Sequence, residues 1–197
     1  MHAEQDESQL IRRARDGDLD AFNTLIEGYE RPVYNLCFRM LSSQQPAEDA
    51  AQEAFISAYR SLASFRGGSF RSWLFRIASN ACYDEMRRQK ARPARSLDAP
   101  LSDDRRIDVP DEAHTLDEHV ENIELGEALR EALMELPPEQ RLVVVLCDVQ
   151  GMDYAEIAEV TSTNLGTVKS RINRARGRLR EALQARPELL PTHLRQT

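Results

Sequence analysis

No stretch of about eighteen apolar residues occurs in this chain, so no segment is expected to span a membrane. The first ten residues, Met1 to Leu10, are polar and acidic and lack the apolar stretch of a secretory leader, so the protein is expected to stay in the cytoplasm. Cysteine is scarce: Cys37, Cys82 and Cys147 are far apart and form no CxxC pair, which argues against both a disulfide framework and a zinc site. Buried apolar packing in a reducing compartment is the expected role of all three. Strand-like alternation of polar and apolar residues persists nowhere. Enzymatic motifs are missing as well: there is no P-loop, no glycine-rich dinucleotide loop, no Ser/His/Asp arrangement and no HExxH. An enzyme is not expected, nor is a cofactor.

What the 197 residues do contain is charge in blocks. The net charge of −7 argues at first against a nucleic-acid partner, but its distribution points the other way. Residues 58–95 hold nine Lys/Arg against two Asp/Glu, and residues 166–183 hold six against one. Between them, residues 96–127 hold eleven acidic residues and two basic ones. Two basic stretches in an acidic chain suggest localised phosphate contacts, with the remaining surface repelling DNA.

Helical periodicity dominates the first ninety residues. Phe22, Leu25, Ile26, Tyr29, Val33, Leu36, Cys37 and Met40 lie close to one stripe, with Pro32 either beginning a second helix or kinking the first. The pattern resumes over 47–65, and Arg66-Gly67-Gly68-Ser69 reads as a loop. A long helix over 70–90 follows, ending in Arg87-Arg88-Gln89-Lys90. Periodicity then stops until about residue 120, where Pro93, Pro100 and Pro110 sit among Asp, Arg and Ser. It returns over 123–136, is halted by Pro137-Pro138, and continues over 139–148. The expected fold is all-α: two small helical domains, an N-terminal bundle (1–92) and a C-terminal helix-turn-helix domain (121–184), joined by an extended acidic linker (93–120), with a tail over 185–197.

Local signals place the helix-turn-helix. Asp153 and Glu156 have capping-box spacing and open a short helix. Residues 161–164 break it, and a second helix starts near Leu165. There Val168, Ile172, Ala175, Leu179 and Leu183 form one narrow stripe. Thr167, Ser170, Asn173, Arg174 and Gly177 occupy the opposite face, flanked by Lys169, Arg171 and Arg178. A packed stripe backed by Asn, Arg and Lys suits the major groove, where Arg reaches guanine and Asn reaches adenine. A merely solvated helix face is the competing reading. The capped helix and short turn that precede it favour DNA.

These segments resemble the extracytoplasmic-function (ECF) sigma factors, a group of alternative bacterial RNA polymerase sigma factors. Residues 153–158 and 166–176 are similar to the family's promoter-reading helix-turn-helix, and residues 136–141 to the start of that domain. Residues 48–55 resemble its core-polymerase-binding helix. Residues 65–74, with Arg76, Asn80, Asp84 and Arg87-Arg88 beyond, resemble its promoter-melting segment. The resemblance implies that Glu48, Asp49, Gln52 and Glu53 dock on a coiled coil of the largest catalytic polymerase subunit, pairing with Arg or Lys there. It implies that Arg66, Ser69, Phe70, Arg71, Trp73, Arg76, Asn80, Arg87 and Arg88 hold the melted −10 element. Phe70 and Trp73 offer stacking surfaces, the arginines track phosphates and Asn80 can read a base edge. Core packing is the alternative for Phe65 and Trp73; Phe70 is expected on the DNA side. Thr167, Lys169, Ser170, Arg171, Asn173, Arg174 and Arg178 are the implied −35 readers. The partners implied are RNA polymerase core, promoter DNA and an anti-sigma factor, without membrane insertion.

Within the resemblance, Ser162 departs from the family by standing where relatives commonly carry Gly in the turn. A left-handed backbone there would impose a modest strain. Asn173 replaces an aromatic or His, so promoter preference does not transfer. The acidic linker is open to two readings, a nucleic-acid mimic inside the polymerase or a solvated spacer. Two rival functions compete with the resemblance. One is a stand-alone regulator binding duplex operator DNA as a dimer. The other is an enzyme, for which the sequence offers only a weak metal site at His114 and His119, beside Asp117, Glu118 and Glu121, whose spacing fits no usual ligand pattern.

Overall fold

In a computed structural model of the chain, residues 2–91 and 116–186 are described, and every regular element among them is helical. Five helices precede the acidic stretch: α1 (His2–Arg15), α2 (Leu19–Glu27), α3 (Glu30–Leu41), α4 (Gln44–Ser61) and α5 (Phe70–Ala91). Four follow it: α6 (Leu116–Glu135), α7 (Pro138–Val144), α8 (Tyr154–Thr161) and α9 (Leu165–Gln184). The all-α expectation holds.

Pro32 does not kink a long helix. It sits in the first turn of α3, where its missing N–H costs nothing, and the chain breaks just before it at Gly28 and Tyr29. Helix α6 begins at Leu116, inside the span read as linker. Helix α7 passes into a π-helical turn, Val145–Val149, so the single helix expected over 139–148 widens halfway. The candidate metal residue His114 lies outside the described residues, and so do the side chains of Asp117, Glu118, His119 and Glu121.

In the N-terminal domain, α4 presents Ala47, Ala50, Ala51, Ala54 and Ala58 to α3 and α5. Small side chains let the three helices approach closely. Against this alanine face pack Leu36, Met40, Leu74 and Phe75, each with essentially no exposure. Burial of a side chain of this size is worth roughly 1.5–3 kcal/mol. Cys37 and Cys82 meet in the same core, and the neighbouring Cys37 thiol together with burial raises the pKa of Cys82 well above its ordinary value. Such thiols are inert packing groups.

The two domains share one continuous hydrophobic cluster. Its polar keystone is Arg141, 4% exposed and without a carboxylate partner among the described residues. Its Nε donates to Leu133 O at 2.8 Å, and its Nη2 to Met134 O at 2.7 Å and Leu136 O at 3.2 Å. Those carbonyls lie at the end of α6, where the last turn leaves acceptors to be filled and a cation also meets the negative end of the helix dipole. The remaining Nη1 crosses to the other domain and donates to Met40 O, near the end of α3. Burial lowers the Arg141 pKa from its ordinary value, yet the carbonyl cage satisfies its donors.

Candidate polymerase and nucleic-acid interfaces

Helix α4 has two faces. Opposite its alanine face, Glu48, Asp49, Gln52 and Glu53 are all exposed. Their contacts are local: Gln44 Nε2 donates to Glu48 at 2.9 Å, Gln45 Nε2 to Asp49 at 3.0 Å, and Ser57 Oγ to Glu53 at 3.3 Å. None of the three carboxylates is ion-paired with a described residue, so their charge stays available to a cationic partner. Ile56 and Tyr59, 38% and 39% exposed, extend the face with apolar surface. Sequence reasoning missed both. The only signal was their position seven or eight residues beyond Glu48 and Gln52, at helical spacing.

The Arg66–Ser69 loop is held by backbone geometry. Gly67 and Gly68 have φ of +96° and +90°, conformations that a side chain would strain, although nothing would clash with a Cβ there. Ser69 Oγ accepts from the Ser72 N–H at 3.0 Å and so caps the start of α5. Arg66 and Ser69 are exposed.

Phe70 requires a correction. It is 2% exposed and lies inside an aromatic cluster, with ring centroids 5.6 Å from Tyr29, 5.8 Å from Phe65 and 5.5 Å from Trp73. Edge-on packing of four large rings stabilises this corner of a small core more than one solvated ring could. Phe65 is buried too, and Trp73 is half-buried, packed on the cluster. Phe70 therefore offers no free stacking face.

The remaining −10 candidates differ in accessibility. Arg76, Asn80, Arg87 and Arg88 are exposed along one side of α5, and Arg71 is half-buried. Arg71 lies over the Phe75 ring at 5.7 Å, donates to Gln150 O and stands 3.9 Å from Glu156. Arg76 donates to Glu159 O. Arg87 pairs with Asp84, and Arg88 with Glu85 at 3.2 Å. Arg76, Asn80, Tyr83 and Arg87 line one wall of a cleft of about 670 Å³, whose other wall carries Val160 and Arg171. Burial and then the Glu139 carboxylate push the Tyr83 hydroxyl up to about 12, with Arg171 acting in the opposite sense.

The helix-turn-helix forms from the residues that the sequence singled out. Asp153 accepts from the Ala155 and Glu156 N–H groups, and the Glu156 carboxylate accepts from the Asp153 N–H, completing the capping box. Ser162 ends α8 in the left-handed region, φ 52° and ψ 41°. Asn164 then caps α9 by accepting from the Thr167 N–H at 2.8 Å. Val168, Ile172 and Ala175 are fully buried. Lys169, Asn173, Arg174 and Arg178 point outward, while Thr167, Ser170 and Arg171 are half-buried. Arg176, which would otherwise add to the outward charge, is tied to Asp148, whose carboxyl its guanidinium holds below the usual carboxylate range.

A buried apolar stripe behind an outward cationic face, with a second domain carrying an exposed acidic helix, defines a two-domain helical transcription factor. The sigma-70 region 2 family model matches residues 25–92, and the sigma-70 region 4 model matches residues 126–179. The ECF RNA polymerase sigma factor SigW of Bacillus subtilis (strain 168) is 35% identical over 179 residues, covering 88% of this chain and 95% of that protein. The ECF RNA polymerase sigma-E factor of Escherichia coli (strain K12) is 39% identical over 176 residues, covering 85% and 88%. Among solved structures, CnrH in complex with the cytosolic domain of CnrY superposes with a TM-score of 0.69 at 25% identity, covering 92% of this chain and 99% of that one. The sigma factor RpoE with the anti-sigma factor NepR from Bartonella quintana gives 0.63 at 25% identity, covering 84% and 98%. The chain belongs to the ECF sigma factors: it is an alternative sigma factor that directs promoter-specific transcription initiation by RNA polymerase. Sigma factors are non-catalytic regulators, and no described helix is long and apolar enough to cross a membrane.

Proposed function

We propose that the chain divides its work among three surfaces. The exposed α4 face of Glu48, Asp49, Gln52 and Glu53 docks on core polymerase, with Ile56 and Tyr59 as apolar anchors. Arg66, Arg71, Arg76, Asn80, Arg87 and Arg88 hold the melted −10 strand, and Trp73 supplies the remaining aromatic edge. On α9, Lys169 and Arg178 take phosphates while Arg174 and Asn173 face base edges in the −35 major groove. The functional division follows the span 1–92 for core and −10 work and 121–184 for −35 reading. The acidic segment between them serves as the tether. An anti-sigma factor is a further expected partner, since both superposed sigma structures carry a protein partner of this kind or a cytosolic domain. Cytoplasmic residence follows from the same activity.

The observation that carries this reading is the α9 face, cationic and outward behind Val168, Ile172 and Ala175, which have no exposure, and the partly buried Leu179 and Leu183. Run-off transcription from a promoter library with bacterial core polymerase tests it. A promoter subset should fire only when the protein is added. Asp49→Arg should abolish activity through core binding, whereas Arg174→Ala should keep core binding and lose promoter discrimination by about 1–3 kcal/mol. Unchanged transcription with either variant would exclude its residue from the assigned surface.

A further inference from the structure

We propose that the cleft between α5 and the C-terminal domain is a binding site for a nucleoside polyphosphate, a role outside the three surfaces assigned above. Arg76, Arg87 and Lys90 of α5 line one wall, and Arg171 of α9 lines the other. Glu139 is the one carboxylate among the lining residues. Arg87 is compensated by Asp84, but Lys90 and Arg171 make no hydrogen bond or ion pair with a described residue. Arg76 donates to the main-chain carbonyl of Glu159, a neutral partner that leaves its charge in place. Three cations thus share the cleft with a single carboxylate.

Like charges on facing walls repel unless an anion lies between them, and the repulsion grows where the walls exclude water. Arg171 is half-buried, so its charge is the least screened of the three. Tyr83, which lines the same cleft, does not supply the missing anion. Burial and then the Glu139 carboxylate push its hydroxyl up to about 12, so it stays protonated at neutral pH. A ligand with two or more negative charges closes this balance. Phosphate oxygens suit it best, since Arg takes them in a bidentate fork and Lys as a point charge.

The rest of the lining calls for more than phosphate. A volume of about 670 Å³ lies within the range of small-molecule sites, about 300–1,000 Å³. Tyr83 and Met86, both half-buried, join Pro138, Leu142 and Val160 in an apolar portion of the surface. A phenol ring and a thioether suit the flat face of a nucleobase. The side chains of Asn80 and Ser162 also line the cleft and make no hydrogen bond with a described residue. Their amide and hydroxyl remain free for a base edge or a ribose hydroxyl. Cations on both walls beside an apolar floor match a phosphate chain joined to a nucleoside.

Isothermal titration calorimetry of the full chain with ATP, GTP, tripolyphosphate and adenosine in magnesium-free buffer tests the site. The tighter of the two nucleotides should bind at least about fivefold better than tripolyphosphate, the margin that one stacked base contributes. Adenosine alone should give no heat. Lys90→Ala and Arg171→Ala, on opposite walls, should each weaken that nucleotide by about fivefold or more. Lys90 is exposed at the end of α5, so its replacement leaves the core intact. Arg180→Ala removes the same charge from an exposed position of α9 outside the cleft and should change affinity by less than about twofold. No nucleotide binding, equal affinity for tripolyphosphate, or an equal loss in Arg180→Ala overturns the proposal. So does a labelled oligothymidylate that binds with the same dependence on Lys90 and Arg171 while neither nucleotide does, since the cleft would then take a strand.

Discussion

Two serines adopt the same left-handed backbone, yet their side chains predict opposite responses to glycine. Ser162 ends α8 at φ 52° and is exposed, and Ser42 ends α3 at φ 56°. An L side chain in this region costs roughly 1–2 kcal/mol, whereas glycine gives back about 0.5–1 kcal/mol through unfolded-state entropy. Ser162→Gly should therefore raise stability by about 0.5 kcal/mol in thermal or urea unfolding. Ser42 additionally accepts a hydrogen bond from Arg130, so Ser42→Gly should be neutral or destabilising. A lower melting temperature for Ser162→Gly would mean that its hydroxyl does more than the geometry requires. The strain at Ser162 was legible only through the family resemblance, in which glycine commonly stands in that turn. The burial of Phe70 was not, because a phenylalanine beside a glycine loop reads the same whether it faces a nucleobase or three neighbouring rings.

At the scale of elements, helix α9 is fastened to the π-helical turn by Arg176 and Asp148, a two-pronged ion pair. The Arg176 hydrogen bond lowers the Asp148 pKa in the folded state, with partial burial opposing it. A carboxyl depressed on folding contributes stability that is fully present above its unfolded value, about 3.9, and lost as pH falls through the folded one. Asp148→Asn should thus cost at most about 1 kcal/mol at pH 7, because both side chains are well exposed. The difference from the unmodified protein should vanish in acid below the folded pKa; a difference that persists there would assign it to packing. Periodicity and capping made most helices readable, including the capping box and the α9 stripe. The start of α6 was not readable, since its acidic first turn has the composition of the linker that precedes it. Nor was the packing between domains, because arginines donating to main-chain carbonyls leave no pattern in the partner's side chains.

For the molecule as a whole, charge placement decides how DNA is met. A net charge of −7 repels duplex at long range, and the proposed −35 surface would overcome this with a few outward cations on α9. Each phosphate neutralised releases counterions and adds about −0.9 to the slope of log affinity against log salt. Lys169→Ala and Arg178→Ala should each make that slope shallower by about one and weaken all −35 duplexes equally. Arg174→Ala should alter the ranking of −35 sequences, since a base contact carries discrimination that a phosphate contact lacks. Competition binding over a salt series separates the two behaviours on the same set of duplexes. If Lys169→Ala changed the ranking and Arg174→Ala only the slope, the roles along α9 would be exchanged, and the helix would enter the groove rotated from the orientation its buried stripe implies.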